Sequence, residues 1–391
     1  MSFTRFLLTG LFRAVLVTSL SAGPEYALGV GKLSLGVDAT LDAASGLSGP
    51  GAGRESLFGT VLGHALWTQT AEATQAKAVT WSAYSSVLWV EGRGPTERIL
   101  GDFLAVNNAE DYQSLRLYSW WAEANGAAWS WRTGAWLVDE EFCSTTAGGA
   151  LINSAFGWPA FISSNVLNAG TAYSAAALGS RVALTLPSGW TAKVAVYDGD
   201  AFDYAVGDEH LNRHGTHYQL NAGQGAVIFT ELGYAPEGAP TRVYLGGWLH
   251  TADFVDLGSG ETHAGNQGAY AIIERTLAGN TGEAGNVEAH VRYGWAPEDR
   301  STVAWAFDTA VAVTGLLPSR PADVTALGLV YAEMSAKLAG QDFEHVTELS
   351  HSIALGEHLT VQPDLQYIRH VGALNTASDA WLFILRLSAT Y

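Results

Sequence analysis

The chain has one cysteine, Cys143, among 391 residues, so no intrachain disulfide can form. Its stability must come from burial and backbone hydrogen bonding. No uninterrupted run of about 20 apolar residues follows the N-terminal region, which excludes a conventional spanning helix. Charged residues make up 15% of the chain, against roughly 25% in ordinary soluble domains. Lysine is nearly missing: Lys32, Lys77, Lys193 and Lys337 are the only four. A net charge of −18 argues against nucleic acid, which requires basic patches. It does not exclude a basic channel, because a local field depends on placement and not on the total. Catalytic motifs are also lacking. Gly258-Ser259-Gly260 is a loop rather than a nucleophile elbow, and no phosphate-cradling Gly-x-x-x-x-Gly-Lys occurs. Ser350 and His351 adjoin, but neighbouring strand residues point to opposite faces and cannot act as a pair.

What is abundant is aromatic: Trp 14, Tyr 15 and Phe 14, with Gly 44. The apolar content comes in short alternating packets between Gly, Asn, Asp and Pro clusters, as in an all-β chain. The last eleven residues show this best. Trp381, Phe383, Leu385, Leu387, Ala389 and Tyr391 form one unbroken apolar face. Leu382, Ile384, Arg386, Ser388 and Thr390 form the other, which becomes polar. A transmembrane barrel strand alternates between lipid and lumen in this way, with aromatics at the interfaces. The competing reading is a buried strand of a soluble sandwich. Left exposed on an ordinary edge strand, such a face would aggregate.

Arg5 and Arg13, the apolar residues 14–20 and the small Ser19, Ser21, Ala22 and Gly23 read as an export signal, with cleavage near Ala22 or Gly29. An uncleaved amphipathic helix is the alternative. The domain plan is therefore a signal over residues 1–29 and a single barrel over residues 30–391. Val182, Leu184 and Leu186 alternate before Pro187-Ser188-Gly189, and Trp190, Ala192, Val194 and Val196 alternate after it, which predicts a tight hairpin. Pro363, inside an alternating run from Leu359 to Tyr367, predicts a bulge or a weakened ladder. Residues 43–55, 142–177, 198–215 and 256–268 read as irregular. The expected fold is all-β: an antiparallel, up-and-down transmembrane β-barrel of about sixteen strands, with long extracellular loops and short periplasmic turns.

Further segments carry a family resemblance. They are Gly101-Asp102 with Val106-Asn107-Asn108, the run from Tyr112 to Tyr118, Phe142, and the run from Ile152 to Gly157. Next come Ala177-Leu178-Gly179, the run from Val196 to Asp200, Arg213-His214-Gly215 and Glu231-Leu232-Gly233-Tyr234. The runs from Leu245 to Thr251, Gly315 to Arg320 and Pro363 to Ile368 complete the set. In this order the chain resembles the carbohydrate-selective porins of Gram-negative outer membranes, the OprB family. The resemblance implies a barrel that passes sugars down a gradient without ATP. Residues 30–100 match less clearly, and residues 92–98 diverge.

A sugar is neutral, flat-faced and dense in hydroxyls. A selective pore needs rings to stack it and charged or amide groups to replace its water, yet must release it. Arginine suits this role because its fixed fork bridges neighbouring hydroxyls. The expected constriction is the long loop at residues 142–177, introduced by Asp139, Glu140 and Glu141, on which Asn153, Trp158, Asn165 and Tyr173 supply amides and rings. Arg116, Arg132 and Arg181 lie on strands able to face it. Glu231, in an apolar run, is expected to face the lumen, since a carboxylate in lipid is costly. The set Asp198, Asp200 and Asp203 lacks the glycine and distal glutamate of a calcium loop. The set His210, His214 and His217 falls on no evident helix. No metal or cofactor is called for. The implied partners are the sugar, outer-membrane lipid and the barrel-assembly machinery, which would engage the C-terminal strand from Trp381 to Tyr391. A homotrimer remains open. The rival readings are a weakly selective porin, a plugged barrel enzyme or adhesin, and a soluble lectin.

Overall fold

The computed structural model describes residues 25–70, 79–203 and 210–391, so most of the segment read as an export signal lies outside the described residues. A short strand, β1 (Glu25–Leu28), leads into the wall. The wall strands are β2 (Gly31–Ser48), β3 (Glu55–Gln69), β4 (Thr80–Gly92), β5 (Ser114–Asn125), β6 (Trp129–Trp136), β7 (Ala177–Thr185), β8 (Trp190–Asp198) and β9 (Ala226–Tyr234). They continue as β10 (Thr241–Val255), β11 (Thr262–Ala278), β12 (Val287–Trp295), β13 (Val303–Thr314), β14 (Val324–Met334), β15 (Phe343–Ala354), β16 (Leu359–Arg369) and β17 (Ala380–Thr390). Each of β2 to β17 pairs antiparallel with its neighbour in sequence, and β17 closes on β2 through pairs running from Trp381↔Ser48 to Thr390↔Asp38. The result is a sixteen-stranded closed barrel. β1 pairs with β2 alone, below the point where Tyr391 exchanges backbone hydrogen bonds with Val37. No described helix is long and apolar enough to cross a membrane. Closure is what lets strands do so, because it leaves no backbone edge in hydrocarbon.

Alternation sets the two faces. On β17, Leu382 and Ile384 are wholly buried inside while Trp381 is exposed outside. Arg386, two residues further on, reaches inward to Asp42. The outer surface carries the exposed Val, Leu, Ile and aromatic side chains of the wall. Two belts of rings flank it. Trp81, Trp129, Trp131, Trp190 and Tyr234 lie toward the short-turn end. Trp305, Tyr331 and Phe343 stack at 4.9–5.1 Å toward the other. Aromatic belts of this kind mark the two membrane interfaces. Glu25, the first described residue, and Tyr391 lie at the short-turn end, which is the periplasmic end of such barrels.

The hairpin around Gly189 forms as read: φ is +87° there, and its N–H donates to Leu186. At Pro363 the ladder is interrupted rather than bulged. Pairing of β15 with β16 stops after Ser350↔Asp364 and resumes at Ile353↔Val361 in the same register. Two segments read as irregular are partly strand. Residues 43–48 belong to β2; Ala43, Ala44 and Ser45 pair on both sides, and Gly46 and Ser48 continue the pairing with β17. Small size is required there, because a Cβ on Gly46 would lie 2.1 Å from the Gly51 carbonyl oxygen. Residues 262–268 belong to β11, and the register shift in β10 between His250 and Asp253 hides the alternation.

The connection at residues 137–176 folds back inside the barrel. It carries two single-turn helices, α1 (Ser154–Gly157) and α2 (Ala160–Ser163). Irregular backbone at membrane depth is tolerated only where protein satisfies it, and here the inner wall does so. Glu231 accepts from the Cys143 N–H at 3.0 Å, and Glu274 from Thr146 at 2.6 Å. Glu348 accepts from Ile152 and Asn153. Glu344 performs the same service for Phe103 and Leu104 in the connection at residues 93–113. Arg292 does the converse. It pairs with Asp308 at 2.7 Å and donates to the carbonyls of Cys143, Ala155, Phe156 and Gly157.

Between these anchors the loop packs apolar side chains on the wall. Phe142, Phe156, Phe161 and Ile162 are fully buried, each worth about 1.5–3 kcal/mol of burial. They fit because the wall is small there. A Cβ on Gly294 would lie 2.3 Å from the Phe161 ring, and one on Gly328 2.6 Å from Phe156. The lumen is therefore not polar all round: an apolar core beneath the loop touches the wall from Trp136 of β6 through Tyr197 and Phe229 of β8 and β9 round to Ile384 of β17.

Two outcomes follow from this architecture. Phe383→Arg puts a charge on the lipid face and should cost roughly 2–4 kcal/mol at mid-membrane, read as lost insertion into vesicles. Ser388→Arg, on the lumen face, should insert normally, and equal behaviour of the two would reverse the facing. Arg292→Met leaves Asp308 with His290 as its one remaining partner, strands four carbonyls, and should lower stability by about 3–5 kcal/mol. Denaturant titration of the refolded barrel measures that cost, and single-channel current should become noisier as the loop loosens.

Candidate functional site

At its leading edge the loop meets charged side chains of β5 to β9. The pairing of these strands puts charge on one level of the inner wall. Glu123 of β5 sits directly across from Arg132 of β6, and Arg132 directly across from Arg181 of β7. Lys193 of β8 sits across from Glu231 of β9. Two arginines side by side repel, and carboxylates resolve the conflict. Glu123 lies 2.6 Å from Arg132 and 3.4 Å from Arg181. From the loop, Glu141 reaches Arg132 at 2.8 Å and Arg181 at 2.6 Å. Ser130 accepts a further bond from Arg181, at 2.5 Å. Lys193 pairs with Glu231 at 2.6 Å and also donates to the Glu141 carbonyl.

A column of rings continues this row toward β3. His64 stacks on Tyr84 at 6.1 Å, and Tyr84 on Trp121 at 5.5 Å. The Arg132 guanidinium lies 4.0 Å above the Trp121 ring. Stacking supports a guanidinium without removing its donors from the lumen. It also fixes the fork, which is what bidentate recognition of hydroxyls needs. Gly134 lets the column pass: with φ at +146°, a Cβ there would lie 2.6 Å from the Trp121 Cα.

The residues expected from sequence divide into two groups. Arg132, Arg181, Glu140 and Glu141 meet at this seam. Arg116, Asp139, Asn153 and Trp158 are placed in packing. Arg116 is buried against Asp111, donates to Ser114 at 2.8 Å and lies 4.2 Å over Tyr112. Asn153 caps α1, accepting from the Ala155 N–H at 3.0 Å, and contacts Gln366. Trp158 donates its indole N–H to the Ala169 carbonyl at 2.8 Å. Asn165 ties α2 to β13 through Val303, and Tyr173 donates to the Ala109 carbonyl. Asp139 accepts from the Tyr173 N–H, and burial pushes its carboxyl up to about 6. Glu140 is pushed up to about 7, first by burial and then by the neighbouring Asp139.

Glu123, Lys193, Trp121 and Tyr84 escape a linear reading. For Glu123 the signal is the tight turn at residues 126–128, which makes it the cross-strand partner of Arg132. His214 hydrogen-bonds along β5, its N-δ1 to the Leu115 carbonyl and its own carbonyl to the Leu117 N–H. It completes the wall where β6 has turned into the loop. Among the described residues one group could approach a cation: Asp256, His263 and Asp299, with ligand atoms within 4.8 Å of one another. Arg300 already forks onto Asp299 there.

A closed barrel with a folded-in loop and an arginine–carboxylate seam can be compared with known proteins. The sequence pattern of the carbohydrate-selective porin family OprB matches residues 59–391. A sequence search of curated proteins gives no match. Among solved structures, Pseudomonas putida OprB at high pH superimposes with a TM-score of 0.76 at 16% identity, covering 98% of this chain and 97% of that one. The anion-selective porin from Comamonas acidovorans gives 0.57 at 10% identity, over 92% of this chain and all of that one. A triple mutant of the Rhodopseudomonas blastica porin gives 0.55 at 10% identity, again over 92% of this chain and 100% of that one. At these identities the structures establish a shared barrel, while the family match extends over most of the chain. By that match, this chain belongs to the OprB family of carbohydrate-selective porins.

Proposed function

We propose that this chain passes neutral mono- or oligosaccharides passively across an outer membrane, and that its narrowest section is the seam between the loop at residues 137–176 and the wall strands β5–β9. One observation carries the reading: Arg132 and Arg181 are held side by side at the loop edge by Glu123 and Glu141. A guanidinium fixed by carboxylates keeps spare N–H donors, and the carboxylates keep spare lone pairs. A sugar hydroxyl both donates and accepts, so such a row can replace its water in either sense. Because each group already has a partner, no group is left starved, and the sugar is released as readily as it is bound. The ring column His64–Tyr84–Trp121 runs beside the row and holds Arg132 in place. Family and fold are those of a channel and not of an enzyme. In this reading an N-terminal signal directs export to the outer membrane, and the strand ending at Tyr391 is the segment offered to the barrel-assembly machinery.

The test is ion current through a planar bilayer. Glucose or a short oligosaccharide should block conductance saturably at millimolar levels. Replacing Arg132 and Arg181 by Ala together should raise conductance and weaken the half-blocking concentration about tenfold, or ~1.4 kcal/mol. A linear, unblocked wild-type response would instead identify a weakly selective pore. No conductance at all would point to a plugged barrel with another role.

A further inference from the structure

The charges at the seam do not cancel. Arg132, Arg181 and Lys193 are matched by Glu123, Glu141 and Glu231 at 2.6–2.8 Å. That exchange is three against three. Glu140 is left over. Its nearest cation is Arg132 at 3.7 Å, a guanidinium already engaged by two other carboxylates. Its side chain is 41% exposed, against 15% or less for each of its matched neighbours Glu123 and Glu141. It stands on the inward loop, facing the open side of the row.

Further along the inner wall the excess has the same sign. Arg242 stands between Glu274 and Glu288, and Asp38 faces His64. We infer that Glu140 is a specificity-determining residue of the channel: an unmatched carboxylate that makes the seam prefer cations and turns away anionic sugars such as uronic acids and sugar phosphates. Neutral sugars remain the substrate class. This inference rests on the sugar-passage reading above and adds the sign of charge that the passage rejects.

The physics is local. In a narrow passage with protein walls, charges are screened less than on an open surface. A single unmatched charge there weighs more than the total charge of the chain. The matched pairs contribute little at a distance, because their fields cancel within a few ångströms. Glu140 has no such cancellation. The arginines would by themselves suggest a positive filter, and the distances show why they do not make one.

The test combines reversal potential and flux on the full-length refolded barrel. In a KCl gradient at pH 8 or above, where the Glu140 carboxyl is ionised, the wild-type channel should favour K⁺ over Cl⁻. Glu140→Gln should lower that preference, and Glu140→Lys should lower it further or invert it. In vesicles, the ratio of glucuronate to glucose permeation should rise several-fold in Glu140→Gln and again in Glu140→Lys. An unchanged ion preference and an unchanged permeation ratio in both variants would overturn the charge filter while leaving sugar passage intact. Failure of glucose to enter wild-type vesicles would remove the sugar-passage reading itself.

Discussion

Backbone hydrogen bonding in a medium without water is the constraint from which the rest of this molecule follows. Hydrocarbon offers no partner to a free N–H or C=O. The sheet must therefore close, and the pairing of β17 with β2 closes it. Once closed, each strand has one face in lipid and one in the lumen. The alternation, the ring belts and the position of the long connections at one end are consequences of that single requirement. The small residues of β2 near Ala43–Ser45 are tolerated in a strand because both their neighbours pair with them, whatever their intrinsic preference.

The same constraint reappears inside. A loop that enters the barrel leaves the ladder and strands its own peptide groups. The inner wall answers with carboxylates at Glu231, Glu274, Glu344 and Glu348 for the N–H groups and with Arg292 for the carbonyls. This explains part of the chain's acidity, because several carboxylates are anchors for backbone donors rather than surface charge. It also explains why the lumen is apolar beneath the loop. A loop pinned at both ends by buried polar contacts must fill the space between, and Phe156 and Phe161 do so over Gly328 and Gly294.

Position and chemistry are thus linked. The anchors fix where the loop stops, the stopping point sets Glu141 between Arg132 and Arg181, and Trp121 keeps Arg132 from swinging away. A substitution behind the loop, far from the lumen, can alter transport through this chain of contacts. Residues that resemble site residues in composition, such as Arg116 and Asn153, instead hold the scaffold.

Local pattern was sufficient for the barrel. The period-two alternation at Trp381–Tyr391, the missing apolar helix and the turn around Gly189 depend only on neighbours in the chain, and each is legible without coordinates. The ordered segments after residue 100 carried the family in the same way, and Arg132, Arg181, Glu140 and Glu141 could be named as candidates from residue type and loop position. Their separation from Arg116, Asp139, Asn153 and Trp158 could not, nor could the partnership of Glu123 and Lys193 with them. Those facts depend on which strands lie side by side and on where a forty-residue excursion comes to rest. Contacts between groups far apart in the chain are decided by cross-strand register and by loop anchoring, and both exist only once the cylinder has closed.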